Sequence, residues 1–280
     1  MNILVRFPGF KFKALTLSYD DGVRQDKKLI KIMQKHGLKG TFNLNTDIFG
    51  EETYQEEKGR MSMREAIELY TDSGMEIAVH GCKHLSLNKV RPELAVADVL
   101  NNRIALEKIF SRNVMGMAYA NGAYDDAVVE ILKTCGIKYA RTITSTGHFE
   151  MPTDWLRLPA TCHHNDKALM DLAKVFVEYK GTNHFWANTV KMFYLWGHSY
   201  EFDTNNNWDV IEKFAEYIGG HDDIWYATNG EIYDYVKASE QLEFSADGNY
   251  VYNPTNTTIY LINFANENKI VKPGERICLV

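Results

Sequence analysis

Three histidines and a pair of adjacent aspartates are the residues of this chain best suited to chemistry. His80-Gly81-Cys82-Lys83-His84 sets two imidazoles four residues apart. If the chain turns helical after His80, both rings face one way and can grip a single metal ion. A carboxylate from another strand end would complete a three-ligand site with one position open to water, the layout of a catalytic zinc centre. Asp21 is the candidate third ligand. A divalent ion held this way lowers the pKa of a bound water from ~16 toward ~7. Asp20, one residue away, could then take a proton as general base, and His198 could approach from the opposite side to protonate a leaving group. A backbone N–H in the turn at residues 116–122 would help hold the developing oxyanion.

These residues need elements to carry them. Leu15, Leu17 and Tyr19 alternate with Thr16 and Ser18, so the run into Asp20-Asp21-Gly22 reads as a buried strand. Successive strand side chains point to opposite faces, so Asp20 and Asp21 share a site only where the strand bends away. Alone, Asp21-Gly22 reads equally well as an ordinary turn. The runs 40–45, 75–80, 116–122, 138–143, 155–159, 192–198 and 224–228 read as further strands. Helical spacing lies between most of them, as in residues 92–110, which open on Pro92. Residues 51–60 are charged and read as a solvated loop. Strand and helix alternating seven or eight times predict parallel strands with helical crossovers. In a closed barrel of that kind the chemistry gathers at the carboxyl ends of the strands. Asp20, Asp21, His80, Asn121 and His198 all fall at such ends. Beyond residue 240 the texture changes to Asn, Thr and β-branched residues with an Asp247-Gly248 hairpin signal. The expected division is a barrel over residues 1–240 and a small β extension over residues 241–280.

Composition narrows the class. With 45% hydrophobic and 24% charged residues, the 280-residue chain has the profile of a soluble globular protein able to bury a large core. A net charge of −6 gives no electrostatic reason to expect nucleic acid as a partner. Cys82, Cys135, Cys162 and Cys278 form no CxxC pair, so neither a disulfide framework nor a thiolate zinc site is indicated. The N-terminus has no long apolar run, and no later stretch approaches a membrane span. As written, the chain is expected to be cytoplasmic and to stay off membranes.

Ser18-Tyr19-Asp20-Asp21-Gly22, His80-x3-His84, Ala118-Tyr119-Ala120-Asn121-Gly122 and Leu195-Trp196-Gly197-His198 resemble, in order, the motifs of the polysaccharide deacetylases. This is the NodB-homology group, also called carbohydrate esterase family 4, and the resemblance spans about residues 14–230. It implies a distorted (β/α)7 barrel that removes acetyl groups from N- or O-acetylated sugars with a divalent ion, zinc first and cobalt or nickel as alternatives. By position, Asp20 resembles the family's base, Asp21, His80 and His84 its metal ligands, and His198 its acid. Two departures stand out. Ala118 occupies the place of an arginine that tethers the base, and Asn121 that of a tyrosine whose backbone amide serves the oxyanion. Arg141 and Arg157, each near a strand end, are substitutes for the missing arginine. Asn121, Arg141, Trp155 and His163 are the candidate substrate contacts, with Trp196 and Tyr200 as further rings that could stack on a sugar. Cys162-His163-His164-Asn165-Asp166 is peculiar to this sequence. Two other readings compete: hydrolysis of a small amide or ureide, and a silent sugar-binding protein of the same fold.

Overall fold

Alternation in the strand that leads to the aspartates decides the architecture. In the computed structural model, which describes residues 3–50, 59–182 and 184–280, all eight residues of Lys13–Asp20 (β2) are buried. Leu15, Leu17 and Tyr19 pack outward with Leu29, Ile30 and Met33 of Asp26–Lys35 (α1) and with Phe214 and Ile218 of Trp208–Ile218 (α7). Each such side chain contributes about 1.5–3 kcal/mol of apolar burial. Thr16, Ser18 and Asp20 face the barrel interior, where their partners are Asn229, Asn43 and Arg141.

Ile3–Arg6 (β1) precedes this strand. Gly40–Leu44 (β3), Glu76–Val79 (β4), Gly116–Ala118 (β5), Tyr139–Ser145 (β6) and Leu158–Ala160 (β7) then add to β2 in sequence order, every pair parallel. Cys162–His163 (β8) pairs with Lys191–Gly197 (β9), and β9 pairs back onto β2. Only Thr161 separates β7 from β8, so the stretch 158–163 closes the ring. Seven strand positions with helical crossovers make a distorted (β/α)7 barrel. The crossovers include Met63–Tyr70 (α2), Pro92–Phe110 (α3), Asp126–Thr134 (α4) and Leu169–Glu178 (α5). Glu201–Thr204 (α6) follows β9 directly, ahead of α7. Ile224–Tyr226 (β10) pairs with the start of β2.

Asn229–Glu240 (α8) closes the amino-terminal end of the barrel with a capping box of Thr228 and Glu231. Its Gly230 N–H donates to Glu76 at 2.8 Å, and Tyr139 and Thr41 donate to the same carboxylate. Asn229 accepts from Thr16 and donates to the Tyr194 hydroxyl. The barrel floor is therefore a bonded polar layer, and the opposite end is left for the site.

Glu243–Phe244 (β11), Tyr250–Tyr252 (β12), Ile259–Asn263 (β13), Asn268–Val271 (β14) and Arg276–Cys278 (β15) form two small antiparallel sheets. One takes its edge from the other end of the chain: β1 pairs with β13, Ile3 opposite Asn263. That pairing crosses the division expected at residue 240. Val251, Ile259, Leu261 and Val271 pack with Ile232 and Tyr235 of α8 in a second apolar cluster.

Local readings shift in two places. Trp155–Arg157 is a 3-10 turn that leads into β7 rather than part of a strand. Helical spacing over residues 166–179 predicts a helix from Asp166; it begins at Leu169, after an Asp166 side chain that accepts from the Ala168 N–H. Most of the charged loop expected over 51–60 lies outside the described residues.

Candidate metal and catalytic site

Asp20 and Asp21 leave β2 in different directions because the strand ends between them. Asp21 sits at φ +79° and Gly22 at φ +63°, a left-handed pair that swings the second carboxylate back over the barrel mouth. The same device, not a helix, brings the two imidazoles together. The expectation of a helical turn after His80 fails: the segment is a chain of bends, with Gly81 at φ +79° and His84 at φ +56°. The rings end edge to face, their centroids 4.8 Å apart. Buried polar side chains hold this loop. Asn45 donates to the His80 and Gly81 carbonyls at 2.7 and 2.9 Å, and the Asn102 carbonyl accepts the His80 N–H at 3.1 Å. Asp98 accepts the Lys83 N–H at 3.0 Å. A Cβ at Gly81 would lie 2.1 Å from Asp98 Oδ2, so glycine is required there for space as well as for φ.

Asp21, His80 and His84 each offer one ligand atom, all within 4.8 Å of one another. Asp21 Oδ1 lies 3.8 Å from His80 Nε2 and 3.5 Å from His84 Nε2. His80 Nδ1 lies 2.8 Å from the Ala118 carbonyl, which can only accept, so Nδ1 carries the proton and Nε2 a lone pair. That Nε2 is buried without a hydrogen-bond partner. Burial, against the pull of Asp20, lowers the His80 pKa to about 4, so the ring is neutral near pH 7. A neutral imidazole with its lone pair turned toward a carboxylate and a second imidazole suits a divalent ion of the zinc type. Arg60 Nη2, 3.3 Å from Asp21 Oδ1, balances the acidic side of the cluster.

Asp20 points inward beside this group and is 3% exposed. Asn43 donates to its Oδ1 at 2.8 Å, and Arg141 donates to its Oδ2. His80 Nε2 and His198 Nε2 lie 4.0 and 3.8 Å from the same Oδ2. Burial pushes its pKa up, but Arg141 and the two imidazoles outweigh that and hold it at about 2. Strand register makes the arrangement possible, with Asp20 opposite Asn43 on β3 and Arg141 opposite Ala118 on β5. Arg141 therefore reaches Asp20 from the next strand to the one that carries Ala118. Its guanidinium is capped by Trp196, 4.4 Å from the ring centroid.

The sequence-based assignments divide accordingly. Asp20, Asp21, His80, His84 and His198 come together. Arg141 comes with them, but it is 1% exposed and bonded to Asp20, which corrects its assignment as a substrate contact. Arg157 instead pairs with Asp154 and Asp126 at the surface. Trp155 is also corrected: it is buried edge-on against Tyr233, 5.2 Å between centroids, in the second apolar cluster. Asn121 stands at φ +58° in the turn after β5, and its side chain donates to Ser86. His163 lies 3.2 Å from Glu201 and so faces a carboxylate of the protein.

Glu201 was not foreseen. It follows His198 by three residues at the start of α6, and its Oε1 is 3.3 Å from His198 Nδ1. Burial lowers the His198 pKa, but the bond to Glu201 and the charge of Asp20 raise it above its ordinary value overall. Glu201 itself, despite burial, is held well below the usual carboxylate range by His163, His164 and His198. Ser199 and Tyr70 donate to the buried Asp26, which pins the segment beside His198 to α1 and α2.

A (β/α)7 barrel with a two-histidine, one-aspartate cluster at its carboxyl mouth defines a class of protein able to carry a divalent ion. The sequence model of the polysaccharide deacetylases matches residues 9–140, just under half of the chain, and over that stretch the chain is similar to that family. Two solved structures share the fold. A candidate polysaccharide deacetylase from Mycobacterium smegmatis is 16% identical, with a TM-score of 0.58 over 85% of this chain and 94% of its own. An engineered variant, with restored enzymatic activity, of a carbohydrate esterase family 4 pseudoenzyme from Bacillus anthracis is also 16% identical. Its TM-score is 0.50 over 82% of this chain and 70% of its own. A Streptococcus pyogenes deacetylase solved with acetate is 20% identical at a TM-score of 0.44, over 51% of this chain and 62% of its own. Comparison with curated proteins finds no match. No described helix is long and apolar enough to cross a membrane.

Proposed function

We propose that this protein is a metal-dependent hydrolase that removes acetyl groups from N- or O-acetylated carbohydrate. One observation carries the reading: Asp21, His80 and His84 converge within 4.8 Å beside a second carboxylate, Asp20, that is fixed by a buried arginine. Asp21 Oδ1, His80 Nε2 and His84 Nε2 would hold the ion, zinc, cobalt or nickel. When bound, it acts as a Lewis acid that polarises the acyl oxygen and the attacking water.

The chain supplies the proton chemistry. Asp20, kept ionised by Arg141 and Asn43, accepts the proton of the water that attacks the acetyl carbon. His198 stands across the site with Nδ1 toward Glu201 and Nε2 turned in. From Nε2 it gives a proton to the departing sugar nitrogen or oxygen, so the C–N or C–O bond breaks to leave acetate and a free amine or hydroxyl. The backbone of the turn at Asn121 lines the same mouth and would offer an N–H to the oxyanion. Arg141 also bears on the silent sugar-binding reading, whose motive is the missing arginine: the guanidinium is supplied from β6.

The test is acetate release from a panel of acetylated oligosaccharides, N- and O-linked, with the purified protein loaded in turn with zinc, cobalt and nickel. Release from at least one sugar, abolished by chelation and restored by metal, is the expected result. Binding without release across the panel, or release from a ureide and from no sugar, would overturn it.

A further inference from the structure

The segment peculiar to this sequence, Cys162-His163-His164-Asn165, has no part in the chemistry just described, yet the side chains of its last three residues converge on one carboxylate. Asn165 Nδ2 donates to Glu201 Oε2 at 3.2 Å, His163 Nε2 lies 3.2 Å from the same oxygen, and His164 Nε2 packs 2.8 Å from it in a close contact outside hydrogen-bond geometry. The other oxygen, Oε1, is the one 3.3 Å from His198 Nδ1. One end of the carboxylate is thus occupied by three neighbours in sequence, and the other is presented to a single ring.

The protonation of His163 can be read from its partners. The Asn165 backbone N–H donates to His163 Nδ1 at 3.1 Å, so that nitrogen is an acceptor and the ring proton sits on Nε2, facing Glu201. This is the reverse of His80, whose Nδ1 donates to a carbonyl and leaves Nε2 free. His163, His198 and Glu201 do have ligand atoms within 4.8 Å of one another, a spacing a cation could use. A protonated Nε2 cannot ligate, and the donor set points to a hydrogen-bonded carboxylate instead.

The cradle is also rigid. His164 is fully buried, its ring 4.2 Å from Phe202 and 5.7 Å from Tyr19 between centroids. A Cβ at Gly197 would come within 2.1 Å of His164 Nδ1, so the residue before His198 has to be glycine for His164 to fit. The His164 N–H donates to the Trp196 carbonyl at 2.9 Å, which ties β8 to the strand that carries His198.

We infer that His163, His164 and Asn165 are positioning residues. They clamp Glu201 at one oxygen so that the other fixes the tautomer and direction of His198. This rests on His198 being the proton donor of the proposed reaction. A carboxylate held at one oxygen cannot rotate to follow the ring, so His198 keeps its proton on Nδ1 and its Nε2 toward the site.

The test pairs kinetics with a direct reading of the ring. In the metal-loaded protein with 15N-labelled histidine, long-range 1H–15N correlation should show His198 as the Nδ1–H tautomer when neutral. His163→Phe, which keeps a ring and removes both nitrogens, should mix the His198 tautomers. It should lower kcat roughly tenfold with KM unchanged, and Glu201→Gln about 100-fold, the low end of what a positioned acid contributes. If His163→Phe fails to fold, Asn165→Ala, at an exposed residue, should give the same signature at smaller amplitude. An unchanged His198 tautomer with unchanged kcat in these variants would overturn the inference. So would a second equivalent of zinc that shifts the His163 and His198 nitrogens together, since the cluster would then be a metal site. Absence of acetate release from every form, with the tautomer responding as expected, would count against the proposed reaction and leave the cradle standing.

Discussion

Replacing Arg141 by methionine removes the one lysine or arginine, among the described residues, that is bonded to a carboxylate itself 3% exposed. Both partners are out of water, so solvent screening gives no discount, and the cost is that of orphaning a buried charge. Breaking one side of a buried pair typically costs about 3–5 kcal/mol. The pKa of Asp20 gives an independent bound. Held at about 2 against an ordinary 3.8, it is worth roughly 2–3 kcal/mol of stability above the unfolded pKa, lost as pH falls through the folded one. The Asn43 bond remains in the variant and offsets part of the loss. Arg141→Met should therefore destabilise the metal-free protein at pH 7 by about 2–4 kcal/mol, measured by urea unfolding. Repeated on an Asp20→Asn background, the same replacement should cost far less, because no charge is left unpaired. The acid limb of the pH–rate profile of Arg141→Met should also move to higher pH as Asp20 protonates more readily. A cost under about 0.5 kcal/mol, or an equal cost in both backgrounds, would refute the tether.

Other consequences can be measured separately. His84→Ala should weaken metal binding by at least tenfold, read by competition with a chromogenic chelator, and leave the unfolding transition of the metal-free protein nearly unchanged. Gly81→Ala forces a side chain into a left-handed position against Asp98, so it should cost about 1–3 kcal/mol and lower metal affinity together. Asp98→Ala in the same chain should recover part of both. His164 is held at a pKa of about 4, chiefly by burial, below the ordinary 6.5. The unfolded chain therefore binds the proton first, and stability falls as pH drops from about 7 toward 4. Between pH 7 and pH 5 this one ring should account for about 2 kcal/mol, which His164→Phe would remove from the pH dependence seen by urea unfolding.

The alternating strands and the polar residues at their ends made the barrel and its two aspartates legible in sequence. The left-handed bend between Asp20 and Asp21 was implied by Gly22, because one site could receive both only if the strand turned. The route that joins His80 to His84 was not legible: the pattern also fits a helix, and the bent path is held by Asp98, far along the chain, which accepts the Cys82 and Lys83 N–H groups. Arg141 and Arg157 looked equivalent because each lies near a strand end. Only the register of β6 shows that Arg141 points inward with Tyr139 while Arg157 faces Asp126 outside. Glu201 escaped notice because a carboxylate three residues beyond a histidine is common on helix starts, and its other partners come from the end of β8 and the loop after it. The pairing of β1 with β13 joins opposite ends of the sequence, where short strands give no local sign of their partner.

The division of labour between the two neighbouring aspartates is the point most directly open to measurement. Zinc content and acetate release should be determined side by side for the wild-type, Asp20→Asn and Asp21→Asn proteins on a sugar the wild type deacetylates. Expected is one equivalent of zinc in the wild type and in Asp20→Asn, with turnover in Asp20→Asn reduced by at least ~100-fold, and loss of both zinc and turnover in Asp21→Asn. Zinc retained by Asp21→Asn, or full acetate release by Asp20→Asn, would contradict it.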